Sequence, residues 1–146
     1  MTVIAYRNGV LAADSRYTDD DGSPAECEKL FRVGKMLVGF AGESGPTLRL
    51  LRAIQSPGRG YPHDTFVGGY ALAFCPRRGL MLFDQHHEPE TLRAPYFALG
   101  SGAQAALGAM HAGATAVQAV HAAIRHQVAC GLPVKWMRAV VRKKKR

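Results

Sequence analysis

The chain has 146 residues, of which 47% are hydrophobic and 21% are charged, and its formal net charge is +8. This length and composition are typical of one soluble globular domain with its own core. They exclude a membrane-spanning helix, because no apolar run approaches the roughly 20 residues that such a helix needs. No basic-then-apolar leader opens the chain, so we expect a cytoplasmic location.

The first third of the chain is predicted to form strands in close succession. Residues 2–6 and 10–16 are apolar runs joined by Asn8-Gly9, a strong hairpin turn signal. A loop rich in Asp, Gly and Pro follows at 19–24. Residues 29–33 and 36–41 then predict a second hairpin, with its turn at Gly34-Lys35.

The remaining two thirds alternate helices with further strands. A helical pattern runs from Ser44, a suitable N-cap, to about residue 55, and a breaker-rich loop covers 56–62. Residues 70–75 and 79–83 predict a third hairpin, and 96–99 a strand that ends at a Gly-Ser-Gly turn. Alanine-rich helices are predicted over 103–112 and 116–130, with a closing strand over 134–141. This order favours helices layered on antiparallel sheets over a βαβ repeat.

The second residue, Thr2, is a candidate nucleophile. A start methionine is usually removed when the next residue is small, which would leave Thr2 with a hydroxyl and a free α-amine. That amine has an ordinary pKa of about 7.7–8.0, so it can accept a proton near neutral pH. An adjacent amine is a known way to activate a threonine hydroxyl. The Met-Thr start is common, so the signal gains weight only from other residues.

Four further segments follow this start in a fixed order. They are 9–16 (GVLAADSR), 28–32 (EKLFR), 39–42 (GFAG) and 98–102 (ALGSG). Together with Thr2 they resemble the β-type proteasome subunits and the related bacterial ATP-dependent protease core, which are N-terminal nucleophile (Ntn) hydrolases. The resemblance implies an α+β fold: a four-layer αββα sandwich of two antiparallel sheets. It also implies one domain over residues 1–141, followed by a basic tail at 142–146.

The resemblance assigns a role to five residues. Thr2 matches the nucleophile, Asp14 the acid after the second strand, and Lys29 the buried lysine beside the nucleophile. Gly42 matches the glycine whose backbone N–H faces the scissile carbonyl oxygen. Ser101 matches the serine that contacts the terminal amine.

The chemistry of these residues agrees with the assigned roles. A cation such as Lys29 favours a neutral amine at Thr2, and a buried ammonium needs a partner such as Asp14. A backbone N–H at Gly42 stabilises an oxyanion, and the Ser101 hydroxyl can accept from the amine or pass a proton. The predicted reaction is acyl transfer from an amide to Thr2, followed by hydrolysis of the ester.

Each of these residues also has a purely structural interpretation. Asp14 can cap a turn or pair with Arg16 on the surface, and Lys29 can lie on a solvated strand face. Gly42 can end an element, and Ser101 can be a helix N-cap. The ordered set favours the catalytic interpretation for Thr2, Asp14 and Lys29, and leaves Gly42 and Ser101 evenly balanced.

Two further residues are predicted to bind substrate, and two depart from the family pattern. Cys27, with Phe40 opposite, is expected to line a substrate pocket, as family members use that strand. Gln127 and Cys130 stand where the family often has Asp and Ser. A neutral Gln lacks the electrostatic effect of Asp, which bears on activity but not on the fold. The stretch 56–64 is also too short for the family's second helix.

The predicted function is a threonine-type peptidase or amide hydrolase. The resemblance implies a self-compartmentalising homo-oligomer, such as a ring, acting on peptides or proteins with an ATP-dependent unfoldase as partner. The alternative is a catalytically inactive proteasome-like structural or assembly subunit, which Gln127, Cys130 and the short chain favour.

Metal, cofactor and nucleic-acid roles are not expected. Adjacent His86 and His87 would point to opposite faces of a strand, and His121 and His126 do not share a helical face. The three widely spaced cysteines, without a CxxC pair, indicate reduced thiols. The basic tail at 142–146 is interpreted as a solvated segment, and the alternative is a dock for an acidic partner or for nucleic acid. It lacks the interleaved aromatic residues of a single-strand binder.

Overall fold

The computed structural model describes residues 2–18, 21–56, 68–84 and 89–140. Its elements lie in the following chain order: β1 Ile4–Arg7, β2 Val10–Ala13, β3 Arg16–Thr18, β4 Pro24–Glu26, β5 Leu30–Val33, β6 Met36–Gly42, α1 Ser44–Gln55, β7 Gly69–Cys75, β8 Gly79–Phe83, β9 Glu90–Leu92, β10 Tyr96–Leu99, α2 Ala103–His111, α3 Ala116–His126 and β11 Lys135–Arg138. No helix in these ranges is long and apolar enough to cross a membrane.

The strands form two larger antiparallel sheets and one small hairpin. The first sheet has the order β10-β1-β2-β11 and the second β5-β6-β7-β8-β9, while β3 pairs with β4. The predicted turn between β1 and β2 is present, with Asn8 and Gly9 at φ 51° and 74°. Two successive positive φ values match the twist of a hairpin. This turn places the residue before β1 level with the end of β2.

Successive side chains of the strands point to opposite faces of each sheet, and the two sheets and the helices outside them form four layers. Ile4, Leu11 and Leu72 lie in the apolar cluster between the two sheets, where Gly39 lets them approach: a Cβ there would lie 2.7 Å from Ile4 Cγ2. The opposite face of the first sheet packs small residues against α2 and α3. The outer face of the second sheet packs under α1, with Leu50 buried. The predicted αββα sandwich is therefore confirmed.

Several predicted boundaries were wrong for physical reasons. The strand predicted over 10–16 stops at Ala13, because the Asp14 side chain bonds to backbone amides nearby. The hairpin of β3 and β4 and the strand β9 were missed, since these strands are three residues long and largely exposed. The helix predicted to residue 130 ends at His126. The basic tail, the His86-His87 pair and most of the 56–64 stretch lie outside the described residues.

Candidate active site

Thr2 lies just before β1 and is held by the turn between β10 and α2. The Thr2 backbone N–H donates to Ser101 Oγ at 3.2 Å. The Thr2 carbonyl oxygen accepts from the Ser101 hydroxyl at 3.3 Å and from the Gly102 N–H at 3.3 Å. Gly100 has φ +94°, and a Cβ there would lie 2.1 Å from that carbonyl oxygen, so only glycine fits. The turn thus fixes the backbone of Thr2, which is 6% exposed.

Asp14 and Lys29 form a buried ion pair. Lys29 Nζ lies 2.9 Å from Asp14 Oδ1, and the side chains are 7% and 0% exposed. The carboxylate also accepts from the backbone N–H groups of Val3 at 2.9 Å, Arg16 at 3.2 Å and Gly131 at 3.1 Å. The interpretation of Lys29 as a solvated surface residue is therefore wrong. Asp14 does bond to the Arg16 backbone, but within a buried network that joins the Thr2 segment to the loop after α3.

Gly42 ends β6 in a conformation that requires glycine. Its φ is +120°, and a Cβ there would lie 2.2 Å from the Gly68 carbonyl oxygen. Gly42 pairs with Gly69 at the end of the β6–β7 ladder. Gly42 lines two clefts that Thr2 also lines.

Two clefts border Thr2, and Thr2, Gly42 and Gly68 line both of them. The smaller, here the Ser101 cleft, measures about 420 Å³ and is completed by Ala41, Tyr70, Leu99, Gly100 and Ser101. The larger, here the Lys29 cleft, measures about 710 Å³ and is completed by Arg16, Tyr17, Thr18, Cys27, Glu28, Lys29, Phe31, Phe40, Glu43, Gly45, Thr47 and Leu48.

The two predicted substrate-binding residues both lie on the lining of the Lys29 cleft. Cys27 and Phe40 both line it, and Phe40 packs edge-on against Phe31 with ring centroids 5.5 Å apart. Burial raises the pKa of the Cys27 thiol, although the nearby Lys29 cation works in the opposite direction. The thiol therefore stays protonated near neutral pH and contributes an apolar surface. Their role in binding substrate stays a prediction.

The turn after α3 contributes contacts that the sequence did not reveal. Cys130 is buried, and its Sγ lies 4.0 Å from Ser101 Oγ. Gln127 Nε2 donates to the Ser101 carbonyl oxygen at 3.3 Å. Arg16 lines the Lys29 cleft, and its guanidinium donates to the Val128 carbonyl oxygen at 2.7 Å. No local pattern indicates these contacts, because each joins segments far apart in the chain.

The structure thus brings the five predicted catalytic residues to one place. Thr2 and Gly42 line both clefts, Ser101 lines one and contacts Thr2, and Lys29 lines the other. Asp14 holds Lys29 and the Val3 amide next to Thr2. A hydroxyl, a cation and a polar turn at a cleft junction are suited to acyl transfer.

Comparison with solved structures identifies the fold. Thiobacillus denitrificans BPH matches over 95% of this chain and 98% of its own, with a TM-score of 0.69 and 23% identity. The same protein in complex with epoxomicin matches with a TM-score of 0.69 and 22% identity over 96% and 99% of the two chains. Eukaryotic HslV from Trypanosoma brucei matches with a TM-score of 0.67 and 15% identity over 94% and 98%. The chain has the Ntn-hydrolase fold of proteasome-type subunits.

At these identities the likeness to BPH and HslV concerns the proteasome-type fold. No family model and no curated protein matches the chain. The near-complete coverage of both chains shows that the fold is present without a large insertion or deletion relative to BPH or HslV. A shared fold does not fix the function, which depends on the residues of the site.

Proposed function

We propose that this chain is an N-terminal threonine peptidase or amide hydrolase in which Met1 is removed and Thr2 is the nucleophile. The observation that carries the proposal is the position of Thr2: held by the Ser101 turn, it borders both clefts and shares one with Lys29. The Thr2 nitrogen that bonds to Ser101 Oγ becomes the α-amine after Met1 is removed. Nucleophile and base then stand on one residue.

The reaction we propose has two acyl-transfer steps. Thr2 Oγ attacks the substrate carbonyl carbon while its proton passes to the α-amine, and the Gly42 N–H stabilises the oxyanion. Collapse breaks the C–N bond, and the ammonium returns the proton to the leaving amine, which leaves an ester on Thr2. Water then attacks the ester with the amine as base. Hydrolysis frees the Thr2 hydroxyl and releases the acid product.

Lys29 supports this chemistry from within the Lys29 cleft. Its ammonium is held by Asp14 at 2.9 Å, so the cation has a fixed position in the cleft that Thr2 also lines. A nearby positive charge disfavours the ammonium form of the Thr2 amine and favours a developing alkoxide. Because the pair is buried, solvent screens this effect only weakly.

The experiment that tests the proposal combines mass and turnover. Intact mass is expected to show loss of one methionine residue, and a fluorogenic peptide panel is expected to show hydrolysis. Thr2→Ala should abolish turnover, while Thr2→Ser, which keeps a hydroxyl, should retain part of it. Epoxomicin, the ligand in one BPH structure, is expected to inhibit the wild-type protein. Retained Met1, or turnover that is unchanged in Thr2→Ala, would refute the mechanism.

We also propose that the chain works as a homo-oligomer. A peptidase with open clefts and broad specificity needs enclosure to avoid indiscriminate cleavage, and the proteasome-type fold is compatible with such an assembly. An unfoldase partner would then be needed for folded substrates. Native mass spectrometry is expected to show a closed oligomer, and a monomer at micromolar concentration would contradict this.

The second candidate is a catalytically inactive proteasome-like subunit. It is favoured by Gln127, whose neutral amide contacts the Ser101 carbonyl oxygen and brings no charge to the Thr2 environment. This candidate predicts the same assembly but no turnover with any peptide and no effect of epoxomicin. The peptide panel therefore separates the two candidates.

A further inference from the structure

A further cleft lies at the end of β1 that is remote from Thr2. It measures about 430 Å³, and the residues that line it include Arg7, Val10, Trp136 and Arg138. Thr2 precedes β1 and Arg7 ends it, so a rise of about 3.4 Å per residue puts their backbones about 17 Å apart. This cleft, here the Trp136 cleft, shares no lining residue with the two clefts that border Thr2. It is therefore separate from the candidate active site.

The strand register places two arginines on either side of one apolar residue. Val10 of β2 pairs with Arg7 of β1 on one side and with Arg138 of β11 on the other. Residues directly opposite each other on neighbouring strands lie on the same face of a sheet. Because neighbouring strands are about 4.8 Å apart, the backbones of the two arginines are about 10 Å apart. Their long side chains can therefore reach one ligand above Val10.

The Arg7 guanidinium is held by contacts with the helical layer. Its Nη1 donates to the carbonyl oxygens of Met110 and, at 2.9 Å, of Ala114. The group also lies over the Tyr96 ring, 5.4 Å from the ring centroid. A guanidinium has five N–H donors, and the three that Nη1 does not carry form no hydrogen bond within the described residues. Arg7 thus offers donors whose positions are set before a ligand binds, which lowers the entropy cost of binding.

The positive charge of the cleft has no counterion among the described residues. Neither Arg7 nor Arg138 takes part in an ion pair there, and no Asp or Glu lines the cleft. The Arg138 backbone carbonyl oxygen accepts from Arg32, but the Arg138 side chain forms no hydrogen bond within the same residues. Two guanidinium groups that share a cleft without a carboxylate favour an anion. Their planar forks match the oxygens of phosphate and carboxylate groups.

Trp136 adds an aromatic surface to the same cleft. It pairs with Ala12 of β2, and Ala12 and Val10 both belong to the packing between the first sheet and the helices. The indole therefore lies on the same face of the sheet as the two arginines. It is 55% exposed, so its ring is available to a ligand. An aromatic ring of this kind stacks planar groups such as nucleic-acid bases.

We propose that the Trp136 cleft binds a small aromatic anion. The planar ring of the ligand stacks on the Trp136 indole, and its phosphate or carboxylate group lies between Arg7 and Arg138. The volume of about 430 Å³ lies within the range of about 300–1,000 Å³ that is typical of small-molecule sites. The inference uses no residue of the candidate active site, so it does not depend on the proposed peptidase function.

The binding test uses the fluorescence of Trp136, the sole tryptophan of the chain, together with isothermal titration calorimetry. The full-length protein is titrated with adenosine monophosphate and, separately, with phenylacetate. At least one of the two is expected to give a saturable change in both signals, and the tighter one shows whether the site prefers phosphate or carboxylate. Adenosine and benzyl alcohol lack the anion, and inorganic phosphate and acetate lack the ring. Each should bind at least about tenfold more weakly than its parent compound, because one of the two contacts is lost. Saturable binding of neither anion would overturn the proposal.

Matched variants locate the bound anion. Arg138→Gln should weaken binding about tenfold, the usual effect of losing a hydrogen bond to a charged group. Trp136→Leu should weaken it at least about fivefold in calorimetry, because the stacking surface is lost. Arg7 is kept, since it also holds the turn after α2. Arg78→Gln makes the same change of charge at an exposed position outside the cleft and should bind like the wild-type protein, as should a protein without residues 142–146. Equal affinity of Arg138→Gln and Arg78→Gln, or loss of binding on deletion of 142–146, would overturn the proposal.

Discussion

Replacing either member of the buried ion pair is expected to destabilise the fold, but by different amounts. Asp14→Ala removes the acceptor of three backbone N–H groups as well as the partner of Lys29. Breaking a buried pair in this way costs about 3–5 kcal/mol, a large part of a domain stability of about 5–15 kcal/mol. Lys29→Met leaves the carboxylate with its three backbone donors. We therefore expect a smaller loss of about 1–3 kcal/mol, as for one interrupted buried hydrogen bond.

Urea unfolding followed by far-UV circular dichroism measures both losses. The variants should unfold with the wild-type m-value, which shows that the same surface is exposed. The matched control is Lys135→Met: Lys135 pairs with Glu28 at 3.0 Å, but both side chains are over 40% exposed. That exposed pair should contribute little to the free energy of unfolding, because water screens it, so Lys135→Met should unfold close to the wild-type midpoint.

The test is which of the two variants, Asp14→Ala or Lys29→Met, loses more free energy of unfolding. If Lys29→Met destabilises the protein as much as Asp14→Ala, the backbone donors do not hold the carboxylate, and the account of the network is wrong. Lys29→Met should also remain folded while losing peptide turnover. Full turnover in a folded Lys29→Met protein would remove Lys29 from the proposed mechanism.

Three further predictions concern the thiols and the glycines. Burial raises the pKa of the Cys130 thiol above its ordinary value of 9.0, so above pH 9.0 the folded state keeps a proton that the unfolded state loses. The free energy of unfolding should therefore fall as the pH rises above 9.0, and it should fall less in Cys130→Ser. Chemical denaturation at several pH values measures both. A bulky maleimide should react slowly with Cys27 at pH 7, because the pKa of this thiol is also raised. Once attached, the maleimide should block peptide turnover. Turnover by Cys27→Ser should not change on treatment with the maleimide. Gly42→Ala should abolish turnover or folding, since its Cβ would lie 2.2 Å from the Gly68 carbonyl oxygen. The control is Gly108→Ala, which has open space around its Cβ and should stabilise α2 by about 0.5–1 kcal/mol. Thermal melts and the peptide panel check both variants, and a Gly42→Ala protein with wild-type stability and turnover would contradict the close approach.

Local patterns were sufficient for the long elements of the fold. The Asn8-Gly9 turn and the apolar runs beside it predicted the β1–β2 hairpin, because both signals act within a few residues. The alanine-rich helices were predicted for the same reason. Short exposed strands such as Glu90–Leu92 carry no apolar alternation, so only their pairing partners define them.

Some features of the candidate site could likewise be predicted from the sequence, and others could not. The sequence alone determined which residue types stand in which order, and the resemblance to proteasome-type subunits singled out Thr2, Asp14 and Lys29. Whether Asp14 and Lys29 were surface residues or a buried pair depended on what covers them, and only the tertiary structure decided that. The contact of Gly131 with Asp14 spans 117 positions, and that of Ser101 with Thr2 spans 99. Such contacts depend on how the sheets and helices pack, and no local pattern encodes that packing.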